Sequence, residues 1–263
     1  MARSLALILI VLSAFMYSCN DGGGLNLFTI EDDKMLGLQL RDTIFANPNE
    51  YPVMAEAVYP SQYAYIRGIV DEILASGKVK YADEFNWEIY LIDEPEVLNA
   101  FASPGGYMFV YSGLIKYLDQ KDDLVGVIGH EMAHADRRHS TTQLTKTYGV
   151  ATLLSVLLGE DNELISNVLT SLVALKFSRN DESDADEQSV IYLCETQYAA
   201  NGAASFFEKL EEQGSINPPE FLSTHPSHDT RIADIHMAAS DLSCDTTFDS
   251  NLMDWQAFQA SLP

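Results

Sequence analysis

Basic residues are scarce in this 263-residue chain: 15 lysines and arginines stand against 39 aspartates and glutamates, for a formal charge of −24. A nucleic-acid backbone is thereby excluded as a partner, because phosphates would be repelled. Cysteine is scarce as well, with three residues, too few for a disulfide scaffold. No segment recurs at a period of 20–50 residues, which excludes a solenoid. Long apolar runs are also missing. The first, Leu5 to Tyr17, has 13 residues, and the second, from Val150 to Phe177, is split by the acidic "GEDNE". Neither spans a bilayer comfortably. What is present is an ordinary apolar fraction of 47%, enough for a well-buried core in one ample domain.

The amino-terminal "MARSLALILIVLSAFMYSC" sets a basic Arg3 before the short apolar run and a small Ser18 before Cys19. That is a signal-peptide pattern. A cysteine directly after the apolar run resembles a bacterial lipobox, with Cys19 lipidated as the mature terminus. Tyr17 departs from the pattern, standing where a small residue is common. Residues 1–18 are read as the signal peptide and 19–28 as a flexible, glycine-containing tether. A domain over 29–240 and a short tail over 241–263 complete the expected organisation. Export permits disulfides, and with Cys19 occupied only Cys194 and Cys244 remain to pair. Closing that loop would stabilise by about 4 kcal/mol on a chain-entropy estimate.

Periodicity predicts helices over 31–46 and 61–77, the second ended by Gly77. "NWEIYLID" alternates as a strand, and "VLNAFAS" and "YMFVYSG" flank a "PGG" turn as two more. Beyond Leu114 the pattern is helical: about 119–145, 149–177 with a break, 181–200, 202–213 and 228–240. Helices, a small sheet, then helices make the fold class α+β, predominantly α.

Within "DDLVGVIGHEMAHADRRHS", His130 and His134 are four apart and so project from one helical face. That separation suits two imidazoles on one tetrahedral zinc ion. Glu131 lies about 100° round the helix from His130, within reach of a water as general base. It also falls within an apolar stripe of Leu124, Val127, Ile128 and Ala135, a costly place for a carboxylate without a task or partner. The competing account is a surface helix carrying two histidines by chance.

A zinc peptidase needs a third protein ligand. His139 points about 140° away on a continuous helix, and Glu163 sits beside a helix break. "SRNDESDADEQSV" offers Glu182 and Asp186 four apart on one helical face. The first can ligate while the second orients a ligand histidine through its free ring N–H. "STHPSHDTRI" adds His225 and His228 as ligand candidates, and His225 and Arg231, where a loop enters a helix, could reach a cleft.

Taken in order, "NAFASPGGYMFVYSGLI", "GHEMAHADRRH", "SRNDESDADEQ" and "STHPSHDTRI" resemble the HtpX-like, CAAX-prenyl-protease-type zinc metallopeptidases, which are gluzincins. The resemblance covers about residues 31–240. It implies a zincin-like domain with a small mixed sheet packed on the HExxH helix. It also implies one zinc ion held by His130, His134 and Glu182, with Glu131 activating the water, Asp186 and His139 supporting the ligands, and His225 and Arg231 near the metal. "YMFVYSG" would be the edge strand along which an extended substrate lies. Multiple membrane spans are missing here, so the chain looks more like the family's periplasmic or outer-membrane lipoprotein members. Polypeptide clients, misfolded or stalled in the cell envelope, and a lipid anchor as the only membrane attachment follow from that likeness. The alternative is a non-proteolytic chaperone using the same groove to hold extended chains.

Overall fold

The computed structural model describes residues 26–157, 162–213, 219–226, 230–248 and 252–263. The expected signal peptide, Cys19 and His228 lie outside the described residues. Helix α1 (Ile30–Ala46) opens on a capping box: the Thr29 side chain accepts from the Asp32 N–H, and Asp32 accepts from the Thr29 N–H. Helix α2 (Pro60–Ala75) starts with proline at its first position, where no hydrogen bond is lost. It buries Tyr63, Ile66, Ile69, Val70 and Ile73, spaced to face one way.

The sheet has three strands: β1 (Glu88–Ile92), β2 (Ala100–Ser103) and β3 (Tyr107–Tyr111). Their spatial order is β1-β3-β2, with β1 parallel to β3 and β2 antiparallel to it. The expectation that "YMFVYSG" forms the exposed edge is therefore corrected. β3 is the central strand, every residue of it is buried, and both its flanks are paired. β2 is the edge next to the HExxH helix. In the β2–β3 turn, Gly105 and Gly106 take φ of 76° and 86°, a region closed to most side chains.

After β3 come α3 (Ser112–Tyr117) and α4 (Lys121–Asp136), then α5 (His139–Leu157) and α6 (Asn162–Val173). α7 (Arg179–Leu193), α8 (Gly202–Gln213), α9 (Glu220–Thr224), α10 (Arg231–Asp241) and α11 (Leu252–Ala260) follow. The continuous helix expected over 119–145 is broken after Asp136. Arg138 turns to φ 60° there and ties itself to the Asp33 carboxylate and the Phe28 carbonyl of the amino-terminal segment.

α4 is the centre of the molecule. Every residue from Asp122 to Asp136 is buried, because β2, α7 and α8 enclose the helix. The surface-helix account of HEMAH fails on that observation. α8 comes so close that a Cβ at Gly126 would lie 2.0 Å from the Ala203 nitrogen. Among the described residues no helix is long and apolar enough to cross a membrane.

Two segments differ from a free tether and tail. Asn26 and Phe28 are buried, and Asn26 donates to Thr141 Oγ1 at 2.9 Å. Toward the other end, α11 buries Trp255, whose indole N–H donates to the Leu118 carbonyl at 3.3 Å. The Cys194 and Cys244 sulfurs are 2.03 Å apart, joining the end of α7 to the segment after α10.

Candidate active site

Two helices supply the site's polar groups because of where their sequences start and stop. α7 begins at Ser178, whose hydroxyl accepts from the Asp181 N–H while Asp181 accepts in return. That start directs Glu182 and Asp186 onto the face packed against α4. His130 and His134 of α4 meet them, and the turn after α9 brings in His225.

Four side chains converge: His130, His134, Glu182 and His225 have donor atoms within 4.8 Å of one another, and all four are buried. His134 Nε2 is 3.0 Å from His130 Nε2, and His225 Nδ1 is 3.3 Å from His130 Nε2. Glu182 Oε1 lies 3.4 Å from His134 Nε2 and 3.1 Å from His225 Nδ1, with Oε2 3.5 Å from His130 Nε2. Donors at zinc-ligand distance round a tetrahedron stand about 3.3 Å apart, and these separations bracket that value. Nitrogens and a carboxylate converging this closely can share one cation. His225 Nε2 and Glu131 Oε1, both buried, have no hydrogen-bond partner and lie 3.3 Å apart. The donor set, imidazoles with one carboxylate, is that of zinc.

Around this cluster each group is held from behind. Asp186 Oδ1 is 2.8 Å from His130 Nδ1. Asp186 also accepts from Arg231 Nε at 2.7 Å and Nη2 at 2.8 Å. Arg231 Nη1 reaches Glu182 Oε2 at 2.9 Å as an ion contact outside the hydrogen-bonding direction, and its guanidinium lies 3.9 Å over the Phe207 ring. The break after α4 swings His139 back, so that its Nδ1 is 3.0 Å from His134 Nδ1. His139 Nε2 in turn meets Asp184 Oδ2 at 3.1 Å, and Arg137 clamps Asp184 through Nε and Nη2 at 2.7 and 3.1 Å. Glu131 Oε2 accepts the Ala102 N–H of β2 at 2.9 Å, leaving Oε1 turned to the cluster.

Electrostatics follow from burial and pairing. Burial opposes charge on His130, but the Asp186 hydrogen bond and charge, then Glu182, outweigh it and raise its pKa to about 9. Burial drives His134 well below its usual value. Burial also raises Glu131, with the charges of His225 and His130 offsetting part of the rise. Against burial, the His225 charge and hydrogen bonds from His130, His134 and His225 hold Glu182 well below the carboxylate range. Asp186 is lowered against burial first by the Arg231 charge.

Sequence reasoning missed Asp184, although it stands between Glu182 and Asp186 in the same acidic block. It missed two ring stacks as well: Phe177 lies 4.0 Å from His134, and Phe221 4.4 Å from His225. No spacing signal marks either phenylalanine. Glu163, weighed as a ligand, falls in α6, outside the residues whose side chains are described.

Comparison with known proteins agrees with this geometry. The chain is 32% identical over 154 residues to mitochondrial metalloendopeptidase OMA1 of Arabidopsis thaliana, covering 58% of this chain and 32% of that one. The Schizosaccharomyces pombe OMA1 is 30% identical over 176 residues, covering 65% and 51%. The beta-barrel assembly-enhancing protease of Escherichia coli is 28% identical over 173 residues, covering 59% and 35%. The matches thus span a third to a half of these relatives' lengths. Family M48 metallopeptidases use zinc, and the cluster centred on His130, His134 and Glu182 suits it. The model of peptidase family M48 matches residues 60–239, an interval containing every side chain of the cluster and its supports, and the chain belongs to that family.

Proposed function

We propose that this chain is a zinc-dependent metalloendopeptidase that hydrolyses peptide bonds of misfolded or stalled cell-envelope proteins. The observation that carries this reading is the Ala102 N–H to Glu131 Oε2 bond of 2.9 Å. It sets a buried carboxylate between an edge strand, where an extended chain can pair, and a cluster suited to zinc. Zinc, when bound, supplies Lewis acidity for the scissile carbonyl and acidifies water. Glu131 Oε1 is the free oxygen, so it takes the proton of the attacking water and passes it to the leaving amine. Ala102 prevents the carboxylate from rotating away.

Arg231, expected near the metal, donates through Nε and Nη2 to Asp186 and holds Nη1 2.9 Å from Glu182 Oε2. We therefore assign it to positioning: it fixes Glu182 through Oε2 and, through Asp186, the tautomer of His130. We assign His225 to the reacting atoms, a reading supported by its ring, whose Nδ1 belongs to the cluster and whose Nε2 lies 3.3 Å from Glu131 Oε1. In that place it also obstructs substrate, which supports a second reading in which His225 locks a resting state and withdraws on binding. The short apolar run before Cys19 and the four ordered motifs support export, a periplasmic site and attachment to a membrane, the outer one favoured, through lipid on Cys19.

Asp186→Asn is expected to weaken zinc binding about 10–100-fold, read by competition with a chromogenic chelator. Glu131→Gln is expected to keep one zinc per chain and lose chelator-sensitive digestion of casein; unchanged digestion would remove the general-base role. Casein left intact by the wild-type chain would favour the holding-chaperone alternative. Under the resting-lock reading, His225→Ala raises turnover of at least some unstructured substrates, and a loss on every substrate would end that reading. Cys19→Ala is expected to move the protein from the membrane to the soluble periplasmic fraction, and identical fractionation would dismiss the anchor.

A further inference from the structure

The N–H and C=O groups of β2 alternate between its partner and the outside. Asn99 O, Phe101 and Ser103 face β3, with the Tyr111 N–H bonded to Asn99 O at 3.1 Å. Leu98, Ala100 and Ala102 turn the other way, and Ala102 reaches Glu131. Beyond the start of β2, where the Leu98 carbonyl accepts the Phe221 N–H at 3.0 Å, a cleft of 770 Å³ opens, lined in part by Leu98 and Asn99. Asn99 stands three positions before Ala102, about 10 Å of extended chain.

Glu50, Glu94, Glu96 and Glu220 line the cleft, and among the described residues no lysine, arginine or histidine does. Acidic residues abound in this chain, so their number alone decides nothing. Two further observations distinguish the place. Asn99 is only 4% exposed, and its Oδ1 is a buried acceptor with no hydrogen-bond partner. The carboxylates also converge: the Tyr111 hydroxyl at the cleft wall is raised first by burial, then by the charges of Tyr51, Glu220, Glu94 and Glu50. The nearby ammonium of Lys209 is already engaged. It sits 4.5 Å over the Tyr117 ring and pairs with Asp119 at 2.7 Å.

We propose that this cleft is a specificity subsite for a basic side chain, lysine or arginine, of an extended polypeptide lying along β2. The side chain would sit about three residues from the bond presented to Glu131. A cationic tip there meets the Asn99 acceptor and the carboxylates, while its aliphatic stem lies on the tyrosine walls. The site of cleavage rests on the proteolytic reading above; the preference for a cation rests on the cleft alone.

Binding separates the two. The full chain carrying zinc and Glu131→Gln is titrated with a fluorescein-labelled unstructured peptide containing three lysines, and with the same peptide containing glutamines instead. Fluorescence anisotropy at 0.15 M salt (about physiological) gives the two dissociation constants. The lysine peptide is expected to bind about tenfold more tightly, the equivalent of one close charge pair in partly dry surroundings. Adding Glu50→Gln, Glu94→Gln and Glu220→Gln together should bring the ratio close to one. A control set at exposed positions elsewhere, Glu31→Gln, Glu84→Gln and Glu187→Gln, should leave most of it. A ratio near one in the parent, or equal losses in both triple variants, overturns the subsite. Failure of the proteolytic reading would appear separately, as absent casein digestion by the chain with Glu131 intact, and would leave this ratio unchanged.

Discussion

A guanidinium buried between two carboxylates governs this structure. Arg231 is 1% exposed, and Asp186 and Glu182 receive it. Charges taken out of water this completely are tolerated only when paired, and removing one partner of such a pair costs about 3–5 kcal/mol. The pairing locks α10 to α7 and, through the Asp186 contact with His130, reaches α4. It also decides which atoms remain for a metal. With Asp186 behind Nδ1, His130 offers Nε2, and with Arg231 on Oε2, Glu182 turns Oε1 toward His134 and His225. Burial alone would neutralise Glu182 and Asp186; the Arg231 charge holds Asp186 down, while the His225 charge and hydrogen bonds from the imidazoles hold Glu182 down.

The second support comes from the helix break at Arg138. A continuous α4 would carry His139 away from His134. Instead the chain reverses locally, anchored by Asp33 of α1, and a His134–His139–Asp184 line forms. Helix α1 is thereby linked to the orientation of an imidazole in the candidate metal cluster, although it supplies none of that cluster's side chains. The Arg137–Asp184 pair completes the line from the same turn.

In the proposed reaction, access for an extended substrate would depend on β2 and α9. The Leu98 carbonyl accepts the Phe221 N–H at 3.0 Å, and Phe221 stacks on His225. An extended chain pairing along the whole edge would have to displace this contact, and moving Phe221 would also loosen His225. Edge pairing and the position of His225 are therefore mechanically joined.

Local pattern in the sequence was enough to determine the helices α1, α2, α4, α7, α8 and α10, the three strands and the α+β class, and to mark His130, Glu131, His134, Glu182 and Asp186 as candidates for one site. Those features depend on spacing of three or four along a helix, or two along a strand, which sequence displays directly. Tertiary structure decided the rest. Strand order depends on which chain segments return beside one another, so the central place of β3 was not visible in its alternation. The helix break at Arg138 depends on a partner 105 residues away, Asp33. The parts played by Asp184, Phe177 and Arg231 arise where α4, α7, α9 and α10 meet. A side chain's motif shows what it can bind, while its neighbours, brought from distant sequence and cut off from water, determine which of its atoms are left to do so.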